Sequence, residues 1–436
     1  MNERLEVIEV VIAGKRIGAA HWDAPSRCAT FEYDPDFVQT GIELGPLHLP
    51  LRAGRFRFPQ LARTSFHGLP GLLADSLPDS FGNAVIDRWL ATRGRDAASF
   101  SPVERLCYIG SRGMGALEFR PAFRRSERAV PIEITELVEL AAWIQSERED
   151  FHTGLGDGDA DHREALEDIL RVGSSAGGAR AKAVVAWNPE TGAMLSGQVG
   201  APEGYEHWLL KFDGVKQRDR ELTDPAGYGK IEYAYHLMAL EAGIAMSPSR
   251  LLHENGRSHF MTKRFDRGPG GEKLHMQSLS ALDHLDYQLA GAHGYEQAMS
   301  VMQRLRLPVP QLTELFRRML FNVLARNQDD HTKNIAFLMD GAGQWSLAPA
   351  FDVIYAYNPR GAWTNAHQMT ICGKRDGFTR DELLGVGRTY GVPKPHAILE
   401  QVATAVARWP HFAEAAGVPA EQMRSIANAQ RGDLAD

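Results

Sequence analysis

The stretch ARNQDDHTKNIAFLMD, residues 325–340, decides how the rest of the chain is read. It gathers Asp329, Asp330, His331, Lys333 and Asn334 between an apolar helical pattern and the apolar strand pattern NIAFLMD. Upstream, Phe316, Met319, Leu320, Val323 and Leu324 recur at helical spacing, so the polar cluster occupies a loop that leaves a helix and feeds a strand. Asp and Asn cap helix ends and turn the chain, and an isolated D-x-x-x-x-N carries no more meaning than that. The same spacing suits a phosphoryl-transfer loop, in which an Asp orients the attacking hydroxyl while a later amide holds a metal ion and pins the loop. Asp329 and Asn334 stand at that separation.

Context decides between the two. Downstream, WSLAPAFDVIYAY (345–357) carries a single carboxylate, Asp352, among apolar residues. A buried carboxylate is costly unless it is paired with a cation, and a magnesium ion shared with Asn334 would compensate it. Upstream, VGSSAGGARAKAVVAW (172–187) is a Ser/Gly-rich loop followed by a strand, and small residues let backbone N–H groups approach phosphate oxygens. It is neither a Walker sequence nor G-x-G-x-x-G. The next strand, HWLLKFDG (207–214), holds Lys211 between apolar residues, as a lysine reaching nucleotide phosphates from a sheet would be held. A snorkelling surface lysine is the competing reading. Phosphate loop, strand lysine, D-x-x-x-x-N and a later Asp follow one another in the order of a protein-kinase-like fold.

The chain has 436 residues, 44% hydrophobic, enough for two or three cores. Cys28, Cys107 and Cys372 are too few and too far apart for a disulfide framework or a cysteine zinc site. No apolar run approaches the roughly 20 residues that span a bilayer, and MNERLEVIEV lacks a secretory signal, so a cytoplasmic protein without a membrane role is expected. A formal charge of -7 gives no global pull toward nucleic acid, and DNA contact is expected only through a partner.

Along the chain, LEVIEVVIAG, RIGAAHW and CATFEYD read as strands. LADSLPDSFGNAVIDRWLATRG (73–94) reads as a helix beginning near Pro78, with Val85, Ile86, Trp89 and Leu90 on one stripe and Gly94 at its end. LCYIGSRGMGALEFRP (106–121) reads as a hairpin with a glycine-rich turn, and the polar segment after it marks a boundary. Leu137, Leu140, Ala141 and Ile144 suggest a helix capped by Thr135, and Leu166, Ile169 and Leu170 another. AKAVVAWNPETGAML reads as a hairpin turning at Gly192, Ile231 to Met238 as a helix closed by Gly243, and SHFMTKRFDRGPGG as a strand entering a loop. The expected architecture is α+β and two-lobed. Residues 1–127 form a β-rich domain, about 128–268 the first lobe of a core, and about 269–436 its mainly helical lobe, with the chemistry in a cleft.

Together these segments resemble the HipA family of serine/threonine kinases, the toxin components of bacterial toxin–antitoxin modules. TFEYD, LADSLPDSFGNAVIDRWL and YIGSRGMGALEF resemble the family's N-terminal domain. GSSAGGARAKAVV, WLLKFDG, FMTKRFDR, QDDHTKNIAFL and LAPAFDVI resemble its kinase core. The resemblance implies a protein-kinase-like fold, ATP and Mg2+ as cofactors, Asp329 as catalytic aspartate, and Asn334 and Asp352 as metal ligands. It implies Lys211 on the α- and β-phosphates, a phosphate loop of Ser174, Ser175, Ala176, Gly177, Gly178 and Ala179 with Lys182 following, and His331 beside the nucleotide. Lys263 and Phe265 fall at contact positions of the adenine hinge, and some members carry Glu where this chain has Lys263. Ser175 matches a serine that the family autophosphorylates, with Ser174 the alternative acceptor. The added charge would repel ATP and silence the enzyme. The implied partners are a small helix-turn-helix HipB-like antitoxin, operator DNA reached through it, and a protein substrate such as an aminoacyl-tRNA synthetase.

Glu232 opens the next helix beside its apolar stripe and is not assigned as the partner of Lys211, a favourable first-turn charge being the competing reading. DGDADHREALED (157–168) alternates acids as a calcium loop does, but His162 stands where the tight turn needs Gly. Two rival functions share the same residues: a small-molecule phosphotransferase, and an inactive kinase fold serving as an antitoxin-binding co-repressor.

Overall fold

The computed structural model describes residues 5–91, 94–122, 131, 133–146, 180–197, 200–215, 227–268 and 270–435. The chain forms two compact units, Met1–Ala226 with Leu252–Met276, and Gly227–Leu251 with Gln277–Asp436.

The first unit begins with an antiparallel sheet in the order Arg55–Arg57, Cys28–Tyr33, Lys15–Asp23, Val7–Ile12, Leu117–Arg120. Alternation sends Ile8, Val10, Ala20, Ala29 and Phe31 to one buried face, while Ile17 is buried at an irregularity where the register shifts between Val10 and Val11. Gly18 lies opposite Tyr33, and a Cβ there would stand 2.4 Å from the carbonyl oxygen of Glu32, so the close approach of these strands requires glycine. The expected strands are present.

The segment read as a hairpin differs. Pro102–Ile109 is an α-helix, and only Leu117–Arg120 is a strand. Ser101 caps the helix: its hydroxyl accepts from Glu104 N at 3.3 Å, while Glu104 Oε2 accepts from Ser101 N at 2.8 Å. The run LCYI has strand-forming side chains, but the S-P-V-E signal in front of it, a capping box with proline in the first turn, prevails. The glycines of GSRGMG therefore join a helix to a strand.

A second sheet runs in the order Met194–Ser196, Lys182–Trp187, Glu206–Lys211, Arg257–Lys263, Ser249–Glu254. The hairpin turning at Gly192, φ 74°, is as expected. Against one face of this sheet packs the helix Ser80–Ala91. Its Phe81, Val85, Ile86, Trp89 and Leu90 share a core with Ala183, Val185, Leu210 and Phe212, and with Leu137, Val138 and Ala141 of the helix Ile134–Ser146. Thr135 lies within that helix rather than before it, and its hydroxyl donates to Glu254 at 2.6 Å. The 166–170 helix and the acidic 157–168 stretch lie outside the described residues.

The second unit is mainly helical. Tyr228–Glu241 ends two residues before Gly243 takes φ 79°, and Val309–Leu324 buries Phe316, Met319, Leu320, Val323 and Leu324 as its spacing requires. After that helix come the 3-10 turn Thr332–Asn334 and a hairpin of Ala336–Met339 with Trp345–Leu347. No helix among the described residues is long and apolar enough to cross a membrane.

Candidate active site

The turn after Leu324 places two adjacent carboxylates in opposite situations. Asp329 stays partly exposed: its Oδ1 accepts from Trp363 Nε1 at 2.6 Å and lies 4.0 Å from His331 Nε2. Its backbone carbonyl accepts from Asn334 Nδ2 at 2.8 Å, and Asn334 N donates to the carbonyl of His331 at 2.8 Å. The loop is thereby closed on itself, as the spacing of Asp329 and Asn334 predicts. His331 lies tilted between two aromatic rings, its centroid 5.5 Å from Tyr287 and 6.5 Å from Trp363 with interplanar angles of 60° and 59°.

Asp330 turns inward and is 3% exposed. Its Oδ2 accepts from Tyr295 Oη at 2.9 Å and faces His367 Nδ1 at 2.8 Å, while its Oδ1 accepts from Gln368 N at 2.8 Å. Burial opposes ionisation, but His367, Gln368 N–H and Tyr295 O–H outweigh it and hold the carboxyl below its ordinary value. The network continues from Tyr295 to Asn322 and on to Asn327, with N···O separations of 2.9 and 3.0 Å. Asp330 therefore anchors the loop from below. Sequence reasoning missed Asn322, Tyr295, His367 and Gln368; the only available signal was Asn322 interrupting an apolar helix near its end.

Asp352 lies beyond the strand Trp345–Leu347, five residues past its end, in a left-handed conformation with φ 52°. A non-glycine residue held there is strained, and the neighbouring backbone enforces it. Ala350 N donates to Ala245 O at 2.8 Å, and residues 326–328 pair in parallel with Ala356 through Gln328 N to Ala356 O, 3.0 Å, and Ala356 N to Arg326 O, 3.0 Å. This pairing brings the 352–356 segment beside the loop. Asn334 and Asp352 consequently line one pocket, with Asn322, Asn327, Asp330, His331 and Phe351. Because the Asn334 amide nitrogen is engaged by Asp329, its oxygen is the group left to meet a cation. A carboxylate and an amide oxygen are hard donors that suit magnesium, which keeps several waters and takes few protein ligands. Among the described residues no group of three or more His, Cys, Asp and Glu side chains forms a self-sufficient metal site.

In the first unit, Lys211 ends its strand at 6% exposure with Nζ 5.7 Å from the Phe260 ring centroid, which excludes a snorkelling surface lysine. Lys182 stands directly opposite it in the ladder and is 2% exposed. Lys263 pairs with Glu206 across 2.6 Å, so its ammonium is engaged within the sheet. Phe265 is half-buried in the turn that follows. Around it, FMTKRFDR has a second role. Asp266 is fully buried between Arg264 and Arg267 at 2.7 and 2.9 Å and accepts from Gly115 N at 2.7 Å, while both arginines donate to the carbonyl of Gly113. The GSRGMG loop is thus clamped by the charged end of the motif. Ser174, Ser175, Ala176, Gly177, Gly178 and Ala179 lie outside the described residues. In the second unit, Glu232 is 2% exposed within its helix, deeper than a first-turn surface charge would be.

Known proteins resemble this chain throughout. The model of the HipA N-terminal domain matches residues 8–120, and that of the HipA-like C-terminal domain matches residues 174–434. A protein of Haemophilus influenzae described as "Putative kinase" is 26% identical over 161 residues, 33% of this chain and 47% of that protein. The chain therefore spans about half the length of that curated relative. Among solved structures, a chain of the Shewanella oneidensis MR-1 toxin–antitoxin complex of HipA, HipB and its operator DNA superposes with a TM-score of 0.67 at 17% identity, covering 98% of this chain and 96% of that one. A likeness at that identity establishes the α+β, kinase-like HipA fold.

Proposed function

The chain belongs to the HipA family, and from that premise we propose that it is an ATP- and Mg2+-dependent kinase that transfers the γ-phosphoryl group to a serine or threonine hydroxyl. The observation that carries the reading is the closed loop in which Asn334 grips Asp329 while sharing a pocket with Asp352. In this proposal the bond between the γ-phosphorus and ADP breaks, a bond to the substrate oxygen forms, and the Asp329 carboxylate orients the hydroxyl and takes its proton. Asn334 and Asp352 would hold magnesium, whose charge offsets that of the triphosphate. Lys182 and Lys211 would face its phosphates, and His331, Lys263 and Phe265 would lie along the nucleotide. Their burial and register support the two lysines; the Glu206 pair leaves Lys263 its aliphatic stem for such a contact.

By family, the substrate is a protein of the translation machinery such as an aminoacyl-tRNA synthetase, the inhibitor is autophosphorylation of Ser175 with Ser174 as alternative, and the partner is a helix-turn-helix antitoxin bound to operator DNA. Residues 1–127 would serve that partner or stabilise the core of 128–436. Incubating the purified protein with labelled ATP and Mg2+, alone and with cell extract, tests the reading. Label on protein in the wild type and none in Asp329→Ala is expected, with Ser175 the mapped site on the kinase itself. Label confined to small metabolites, or equal labelling in Asp329→Ala, overturns it.

A further inference from the structure

The helix Ser80–Ala91 belongs by sequence to the N-terminal part of the chain, yet the residue in front of it reaches the lysine row of the second sheet. Asp79 Oδ1 accepts from Gly82 N at 2.6 Å, which fixes the carboxylate at the head of the helix. Its Oδ2 stands 3.0 Å from Lys182 Nζ, and the two side chains are only 3% and 2% exposed. Phe81, Val85 and Ile86 pack on Ala183, Val185 and Leu210, so helix and strand are held in one core and the ion pair has little freedom to drift.

Lys182 and Lys211 occupy directly opposed positions of an antiparallel ladder, with Phe260 opposite Lys211 on the next strand. Side chains at opposed positions share a face, and like charges there repel. Two buried ammonium groups on one face need counter-charge, and Asp79 supplies it to Lys182 from outside the sheet. We propose that Asp79 is a positioning residue of the nucleotide site. It holds Lys182, and through the shared face Lys211, in the geometry that meets the triphosphate, and it makes the N-terminal segment part of the nucleotide-binding apparatus. The inference rests on the kinase reading above and adds to it a residue upstream of all the core motifs.

Asp79→Asn tests it in the 436-residue chain, because Asn keeps an oxygen for Gly82 N and loses only the charge. The readouts are the affinity for the fluorescent N-methylanthraniloyl ATP analogue, KM for ATP against kcat, and melting temperature. We expect analogue affinity to weaken and KM to rise by about tenfold or more, with a smaller change in kcat, and Asp79→Glu to recover most of the loss. In a Lys182→Met background, adding Asp79→Asn changes affinity by less than about twofold, since the pair acts as one unit. That double variant removes both buried charges together and remains informative should Asp79→Asn alone fail to fold. The inference is overturned if Asp79→Asn binds the analogue as the wild type does, or if the effects of Asp79→Asn and Lys182→Met multiply. Failure of the wild-type protein to bind the analogue sinks the kinase reading with it, whereas wild-type binding with an unaffected Asp79→Asn sinks this inference alone.

Discussion

The side-chain amide of Asn334 donates to the backbone carbonyl of Asp329 across 2.8 Å. Asn334 thus closes the loop with its nitrogen and lines the pocket shared with Asp352, where in the proposed reading its oxygen meets the magnesium ion. Asn334→Ala abolishes both, while Asn334→Asp keeps oxygen ligands and loses the donor. Phosphoryl transfer by Asn334→Ala is expected to fall about 10- to 100-fold with a raised Mg2+ requirement. Asn334→Asp should lose rate with less change in Mg2+ dependence, as read by initial rates over a magnesium titration.

In the proposed reading the neighbouring carboxylates divide phosphoryl transfer from stability, Asp329 serving the first and Asp330 the second. Asp329→Asn retains an acceptor for Trp363 Nε1 and is expected to stay within about 1 kcal/mol of wild-type stability while losing transfer. Asp330→Asn leaves His367, Gln368 N and Tyr295 with a weaker acceptor inside the protein, at an expected cost of about 2–4 kcal/mol. Thermal melts of the two variants side by side distinguish them; equal destabilisation contradicts the assignment.

Acid should weaken the fold through buried histidines. Burial lowers His275 and His236 from 6.5 to about 4, and the fully buried His275 does so with only a backbone contact to Leu44 opposing. Below pH 6.5 the unfolded chain takes up protons that the folded one refuses, so the stability is whole above that pH and declines toward pH 4. For His275 the loss is on the order of 3 kcal/mol by pH 4. Asp330, held below its ordinary value, acts in the same direction at lower pH: its contribution is whole above the unfolded carboxylate value and is lost as pH falls through the depressed one. Melting temperatures from pH 7.5 to 5 should fall, and His275→Gln should flatten that dependence; a pH-independent wild type would refute the account.

Asp266 lies between two buried arginines, so its removal leaves uncompensated charge. Asp266→Ala is expected to cost about 3–5 kcal/mol and to expose the GSRGMG loop to proteolysis, because Gly113 and Gly115 lose the clamp that orders them. Limited digestion with mass mapping of the first cut reads this out. A first cut elsewhere, with unchanged melting, contradicts it.

How far the fold was legible depends on how local its determinants are. Helical spacing in Phe316 to Leu324 and alternation in CATFEY specify their elements because neighbours in sequence supply both the pattern and the hydrogen bonds. Pro102–Ile109 was misread because its side chains favour strands and only the capping residues before it said otherwise. The loop from Asp329 to Asn334 was legible, since residues five apart supply the hydrogen bond that closes it.

The sequence by itself determined which residue types stand at which separations, and so most of the elements, the family, and the loop that Asn334 closes onto Asp329. Only the tertiary structure decided that Asp329 stays partly exposed while its neighbour Asp330 is buried against His367, and that Asp79 meets Lys182. Periodicity records the local ladder of hydrogen bonds. The partner of a charge is whichever distant side chain packing delivers to it, and no spacing along the chain encodes that distance.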